Sequence, residues 1–117
     1  VADPLRHDDL TIPQGTDFKV QWPLLDGDKQ AIPSMTGWTA RAQVRVAVTS
    51  TDTLASWTSA DGGILLEDSS VTLIITNEQS TAWEWANGVY DVEVITPTGE
   101  VTRITQGRFF LDREVTR

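Results

Sequence analysis

Between Trp38 and Val48 the chain alternates strictly. Trp38, Ala40, Ala42, Val44, Val46 and Val48 share one parity, and Thr39, Arg41, Gln43, Arg45 and Ala47 share the other. A period of two puts the first set on one face of a pleated strand and the second in water. Each buried valine is worth roughly 1.5–3 kcal/mol, so a one-residue slip costs several such units and the register is fixed. The small alanines leave room for bulkier partners from a facing sheet.

The same pattern recurs along the chain. Val1–Asp9 has no periodicity and carries Pro4, and reads as an extended arm. Leu10 and Ile12 begin a short edge strand that Pro13 ends, because proline cannot donate to a ladder. Gln14-Gly15 turns the chain into a strand with Phe18, Val20 and Trp22 on one face, closed by Pro23. Asp26-Gly27-Asp28 is a turn signal, a hairpin turn rather than a calcium loop because the later oxygen ligands are missing. After the polar stretch Thr49–Thr53, Leu54–Thr58 carries Trp57, Asp61-Gly62-Gly63 turns, and Ile64–Leu66 resumes a strand. Val71, Leu73 and Ile75 point inward from the next strand.

Thr76-Asn77-Glu78-Gln79 has the capping-box form, which predicts one helical turn over Asn77–Trp83 joining the two sheets. Asn87-Gly88 opens a strand with Tyr90, Val92 and Val94 on one parity. Thr96–Gly99 turns tightly into a returning strand over Glu100–Leu111, where Gly107 predicts a bulge that re-aims Phe109 and Leu111. Asp112–Arg117 is a polar tail. Short strands spaced by about 8–12 residues with turn signals between them predict an all-β antiparallel sandwich of seven to eight strands over residues 10–111.

Composition narrows the function. The chain has 117 residues, enough for one domain that buries a core without staples, and no cysteine, which removes disulfides, thiolate metal sites and cysteine nucleophiles. No apolar run approaches a membrane span, and the first ten residues are too charged for a secretory signal. With 17 acidic and 9 basic residues the net charge is −8, which argues against nucleic-acid binding. Acidic residues mark the start and arginines the end, either as solvated surface or as complementary ends docking on neighbouring copies.

Chemistry is sparse. The single histidine, His7, lies in the arm, where it cannot act as a base unless the arm docks. Asp91 and Glu93 alternate on an outer face and read as solvated acids rather than a hydrolytic pair. Asp61-Gly62-Gly63 lacks the lysine and following helix of a phosphate loop. No enzyme, metal site or cofactor is expected. Of the five tryptophans, Trp22 and Trp38 are predicted core. Trp57, Trp83 and Trp85 lie near loops and strand ends, where they either plug the sandwich or present a platform to a protein or sugar. Arg41 and Arg45 stand on the outer face of the central strand, suited to carboxylates of this chain or of a neighbour.

Several stretches, D-D-L-T-I-P-Q-G-T-D-F (Asp8–Phe18), Leu25–Arg45, A-D-G-G-I (Ala60–Ile64) and the hairpin Gly88–Gly107, occur in an order that resembles small β-sandwich virion proteins of tailed bacteriophages. That group includes tail-collar and minor capsid or decoration proteins. The resemblance implies an immunoglobulin-like sandwich without catalytic function, present in many copies in a virion, on the capsid surface or as a collar on the tail. Its expected partners are capsid or tail proteins and copies of itself, without nucleic acid, membrane or cofactor. The expected contact residues are Arg6 and His7 in the arm, Arg41 and Arg45 on the sheet, Trp57, Trp83 and Trp85, and Arg113 and Arg117 in the tail. The alternative is a carbohydrate- or receptor-binding sandwich using the tryptophans.

Overall fold

A computed structural model describes residues 6–24, 32, 34–67 and 69–115. Along the chain come β1 (Arg6–His7), β2 (Leu10–Pro13), β3 (Phe18–Pro23), β4 (Thr39–Arg45) and β5 (Ala55–Thr58). These are followed by β6 (Ile64–Glu67), β7 (Ser70–Ile75), α1 (Asn77–Thr81), β8 (Asn87–Ile95) and β9 (Val101–Asp112). The Asp26-Gly27-Asp28 turn and Arg117 lie outside the described residues.

The strands form two sheets. The larger runs β1-β9-β8-β4-β5, with β2 also on β9, and the smaller runs β3-β7-β6. That partition is the immunoglobulin-like one, with two hairpin-rich layers closed over a shared core. Every pairing is antiparallel except those of β1 and β2, which run parallel to β9. The alternation dictates the packing. Ala40, Ala42 and Val44 of β4 are buried, as are Tyr90, Val92 and Val94 of β8; they face Val71, Leu73 and Ile75 of β7 and Trp22 of β3 across the core. Burial on this scale, at roughly 25 cal/mol per Å² of apolar surface, is what holds a chain without disulfides.

The N-terminal segment differs from the free arm expected over Val1–Asp9. Its described part, residues 6–9, is hydrogen-bonded into the larger sheet. Asp8 donates its N–H to the Gln106 carbonyl at 3.0 Å, and the Asp9 carboxylate accepts from the Arg108 N–H at 2.8 Å. The Asp8 carboxylate also accepts from the Trp22 indole at 3.2 Å, and its carbonyl accepts from the Tyr90 hydroxyl. Asp8 thereby ties both sheets to the incoming segment. Gly107 is required by this docking, since a Cβ there would lie 2.3 Å from the Asp8 carbonyl oxygen. The bulge expected at Gly107 sits instead at Ile104–Thr105: Val92 pairs with Thr105 but Glu93 with Arg103, and both Ile104 and Thr105 are buried.

A second node closes the opposite end. Gln14 is buried, and its amide donates to the Ser80 and Trp83 carbonyls at 3.1 and 3.0 Å and accepts from the Glu114 N–H at 3.2 Å. Gly15 follows with φ +82°, a left-handed turn that favours glycine, and donates to the Ser80 hydroxyl at 2.9 Å. The tail is thus held to the domain at Arg113 and Glu114, while Val115 is exposed. Helix α1 is shorter than expected, ending at Thr81, with Thr76 capping Gln79 N–H at 3.1 Å. The reciprocal half of the capping box is not made, because the Gln79 side chain accepts from the Trp57 indole at 2.9 Å.

Candidate protein-docking face

The outer face of the larger sheet is organised as three rows that cross β4, β8 and β9. Register places Arg45 beside Val89 beside Arg108, then Gln43 beside Asp91 beside Gln106, then Arg41 beside Glu93 beside Arg103. All nine lie on the parity opposite the buried Val44, Tyr90 and Phe109 or, beyond the bulge, opposite Ile104. β1 extends the middle row, with His7 beside Gln106.

The two outer rows differ in charge. In one, Glu93 occupies the centre and accepts from Arg41 Nε at 2.8 Å. In the other, Val89 occupies the centre between two arginines. Arg45 spends its guanidinium on neutral acceptors, the Ser50 carbonyl at 2.8 Å and the Gln43 amide oxygen at 2.9 Å. Arg108 makes no side-chain hydrogen bond or ion pair among the described residues. Between the rows, Arg103 donates to Gln106 Oε1 at 2.9 Å and lies 3.6 Å from Asp91 Oδ2. The Asp91 carboxyl is pushed above its ordinary value, first by burial and then by repulsion from Glu93, with Arg103, Arg41 and Arg45 opposing.

The first two rows and Arg103, without Arg41 and Glu93, line a cleft of about 350 Å³, walled by Arg45, Arg103, Arg108 and His7, with Asp91 its single acid. Its apolar wall is Val48, which together with Val46 corrects the expected strand. The alternation predicts both valines on the inward face, yet they are 86 % and 67 % exposed. The ladder ends at the Arg45–Val89 pair, and the chain then turns, with Ser50 N–H on the Ala47 carbonyl and the Ser50 hydroxyl on Ala47 N–H. A residue without a ladder partner has no reason to keep the strand's parity.

The tryptophan platform does not form. Trp57 and Trp83 are 3 % and 9 % exposed, and Trp85 is half-buried against the core. Phe109 is the centre they surround: ring centroids lie 6.1, 5.9 and 5.5 Å from those of Trp57, Trp83 and Trp85. This is the plugging arrangement that the sequence offers beside the platform; for Trp83 and Trp85 nothing local decides between the two, because residues outside a strand carry no parity to read. Arg113 is exposed and donates to the Glu84 carbonyl at 3.3 Å. Arg41 is committed to Glu93. His7 stays exposed at the cleft rim, within 3.4 Å of Gln106 Nε2, and Arg6 lies in β1.

Of the expected contact residues that are described, His7 and Arg45 line this cleft, Trp83 and Arg113 line a second one beside Gln14 and Glu84, and the three tryptophans meet around Phe109. Arg103, Arg108, Val48 and Val89 complete the first cleft; the sequence marks the two arginines only as charge near the end of the chain. The turn at Asp61 is self-contained, its carboxylate accepting from Gly63 N–H at 2.7 Å and Thr58 N–H at 3.2 Å, which lowers its pKa and leaves no cradle for phosphate.

No protein-family model matches the chain, and no curated protein is matched. Among solved structures it is similar to extracellular domains 3–5 of Drosophila OTK, at 10% identity and a TM-score of 0.38. The alignment covers 90% of this chain and 33% of that one, so the chain spans about a third of that structure's length.

Proposed function

We propose that the protein is a non-enzymatic structural component of a tailed-phage virion, present in many copies on the capsid surface and holding its neighbours through the outer face of the larger sheet. The observation that carries the docking part is charge: a chain of net charge −8 gathers three arginines and a histidine around one acid in a single open cleft. A surface so unlike the rest of the molecule suits a complementary partner, steering its approach and setting its register. The virion setting rests on the resemblance. The stretches that carry it hold the Asp8 and Gln14-Gly15 nodes, which shape the sandwich and bring β1 to the cleft rim. Burial of Trp57 and Trp83 removes the stacking faces that a sugar-binding module needs.

The test is labelling of intact purified particles with an antibody to this chain. Regular labelling of the capsid shell is expected. Labelling confined to the tail would move the attachment site to the collar. Absence from particles, with the chain found only in lysate, would overturn the proposal.

A further inference from the structure

Resting on that reading, we propose that the cleft accepts a glutamate or aspartate side chain from an extended acidic segment of a neighbouring protein, seated over Val89 between Arg45 and Arg108. The molecule supplies its own template for this arrangement. On the same three strands, the Arg41–Glu93–Arg103 row has a carboxylate at its centre, and Arg41 binds it at 2.8 Å. The Arg45–Val89–Arg108 row repeats the flanking cations with an apolar residue where the acid would be.

Strands lie about 4.8 Å apart, so the two arginines flank Val89 at a spacing that lets both guanidiniums reach one carboxylate placed above it. Arg45 is already oriented by Ser50 and Gln43, so little ordering is left to binding. The exposed Val48 supplies an apolar wall for the residue next to the incoming acid. A nucleic-acid phosphate has the same charge, but the chain's net charge of −8 opposes the approach of a polyanion.

The probes are two peptides, acetyl-Ala-Val-Glu-Val-Ala-amide and its Gln counterpart, titrated to 10 mM into the full ¹⁵N-labelled chain. The Glu peptide is expected to shift the Val89 amide and the Arg45 and Arg108 side-chain resonances with millimolar affinity. The Gln peptide should bind at least tenfold more weakly, and Arg45→Gln with Arg108→Gln should weaken the Glu peptide at least tenfold. Arg41→Gln, in the row already closed, should leave its affinity within twofold and serves as the folded control. Equal binding of the two peptides, no shift at 10 mM, or tighter binding of a ten-nucleotide thymidine strand would overturn the inference. Particles labelled by the antibody while the peptides fail would leave the virion role standing and remove only the carboxylate.

Discussion

The two outer rows of the larger sheet are built from the same strands, yet they end in different states. The row of Arg41, Glu93 and Arg103 holds its acid internally, and the row of Arg45, Val89 and Arg108 does not. The first is an ordinary surface pair, worth at most about 1 kcal/mol to the fold. In the second, neither arginine makes an ion pair among the described residues, and Arg45 acts on Asp91 only at longer range. What separates the closed row from the proposed docking row is one side chain, a valine where its counterpart is a glutamate.

The largest effect is expected from reversing the open row. Arg45→Glu with Arg108→Glu should weaken attachment to particles lacking the protein by about 100-fold or more, as like charges meet across the contact. Thermal unfolding should shift by only about 1–2 kcal/mol, from the two hydrogen bonds that Arg45 loses to Ser50 and Gln43, because Arg108 is exposed. Sedimentation with stripped particles reads the first, and calorimetry the second. A loss of stability as large as the loss of attachment would break the comparison.

Next comes the wall that β1 provides. Gly107→Ala drives a Cβ into the Asp8 carbonyl and should cost about 1–3 kcal/mol. It should also speed amide exchange at Asp8 and Arg108, whose N–H groups bond across this contact. Undiminished protection of both amides would show that β1 is not held by this approach.

Tyr90 reports on the same node. It is the chain's single tyrosine, and burial, with Asp8 and Asp9 nearby, raises its pKa to about 12. The folded state therefore holds its proton where an unfolded tyrosine releases it, near 10. Stability should be full below pH 10 and fall as pH rises through about 12. Phenolate absorbance gives the midpoint directly, and a midpoint at 10 would mean that the hydroxyl is free.

The smallest effect belongs to Asp91. Its pKa is raised in the fold, so its ionisation favours the unfolded chain, and stability falls as pH rises from 3.8 through the raised value. Asp91→Asn should flatten that part of the pH–stability curve. It should also strengthen attachment a few-fold, by removing the acid that an incoming carboxylate meets.

How much of this was legible follows from what periodicity encodes. β4, β7 and β8 were readable because each has one face buried along its whole length, and Thr76 announced α1. The rows were not readable. Which arginine stands beside Glu93 depends on the bulge at Ile104–Thr105, and a strand's own sequence does not say where its partner skips a residue. Gly107 gave a signal with the wrong cause, because the neighbour that requires it lies far off in sequence, at Asp8. Val46 and Val48 continue the apolar alternation in sequence, but the ladder has ended before them and both are exposed. Trp83 and Trp85 lie between α1 and β8, where only tertiary contact with Phe109 decides their direction.

The sharpest measurement makes the open row resemble the closed one. Val89→Glu supplies the missing acid from within, beside Arg45 and Arg108, as Glu93 does beside Arg41. Copy number of the chain per purified particle should then drop to background while the melting temperature holds, and Val89→Thr should leave it near the wild-type level. Particles carrying Val89→Glu at full copy number would contradict a partner carboxylate over Val89 as the basis of attachment.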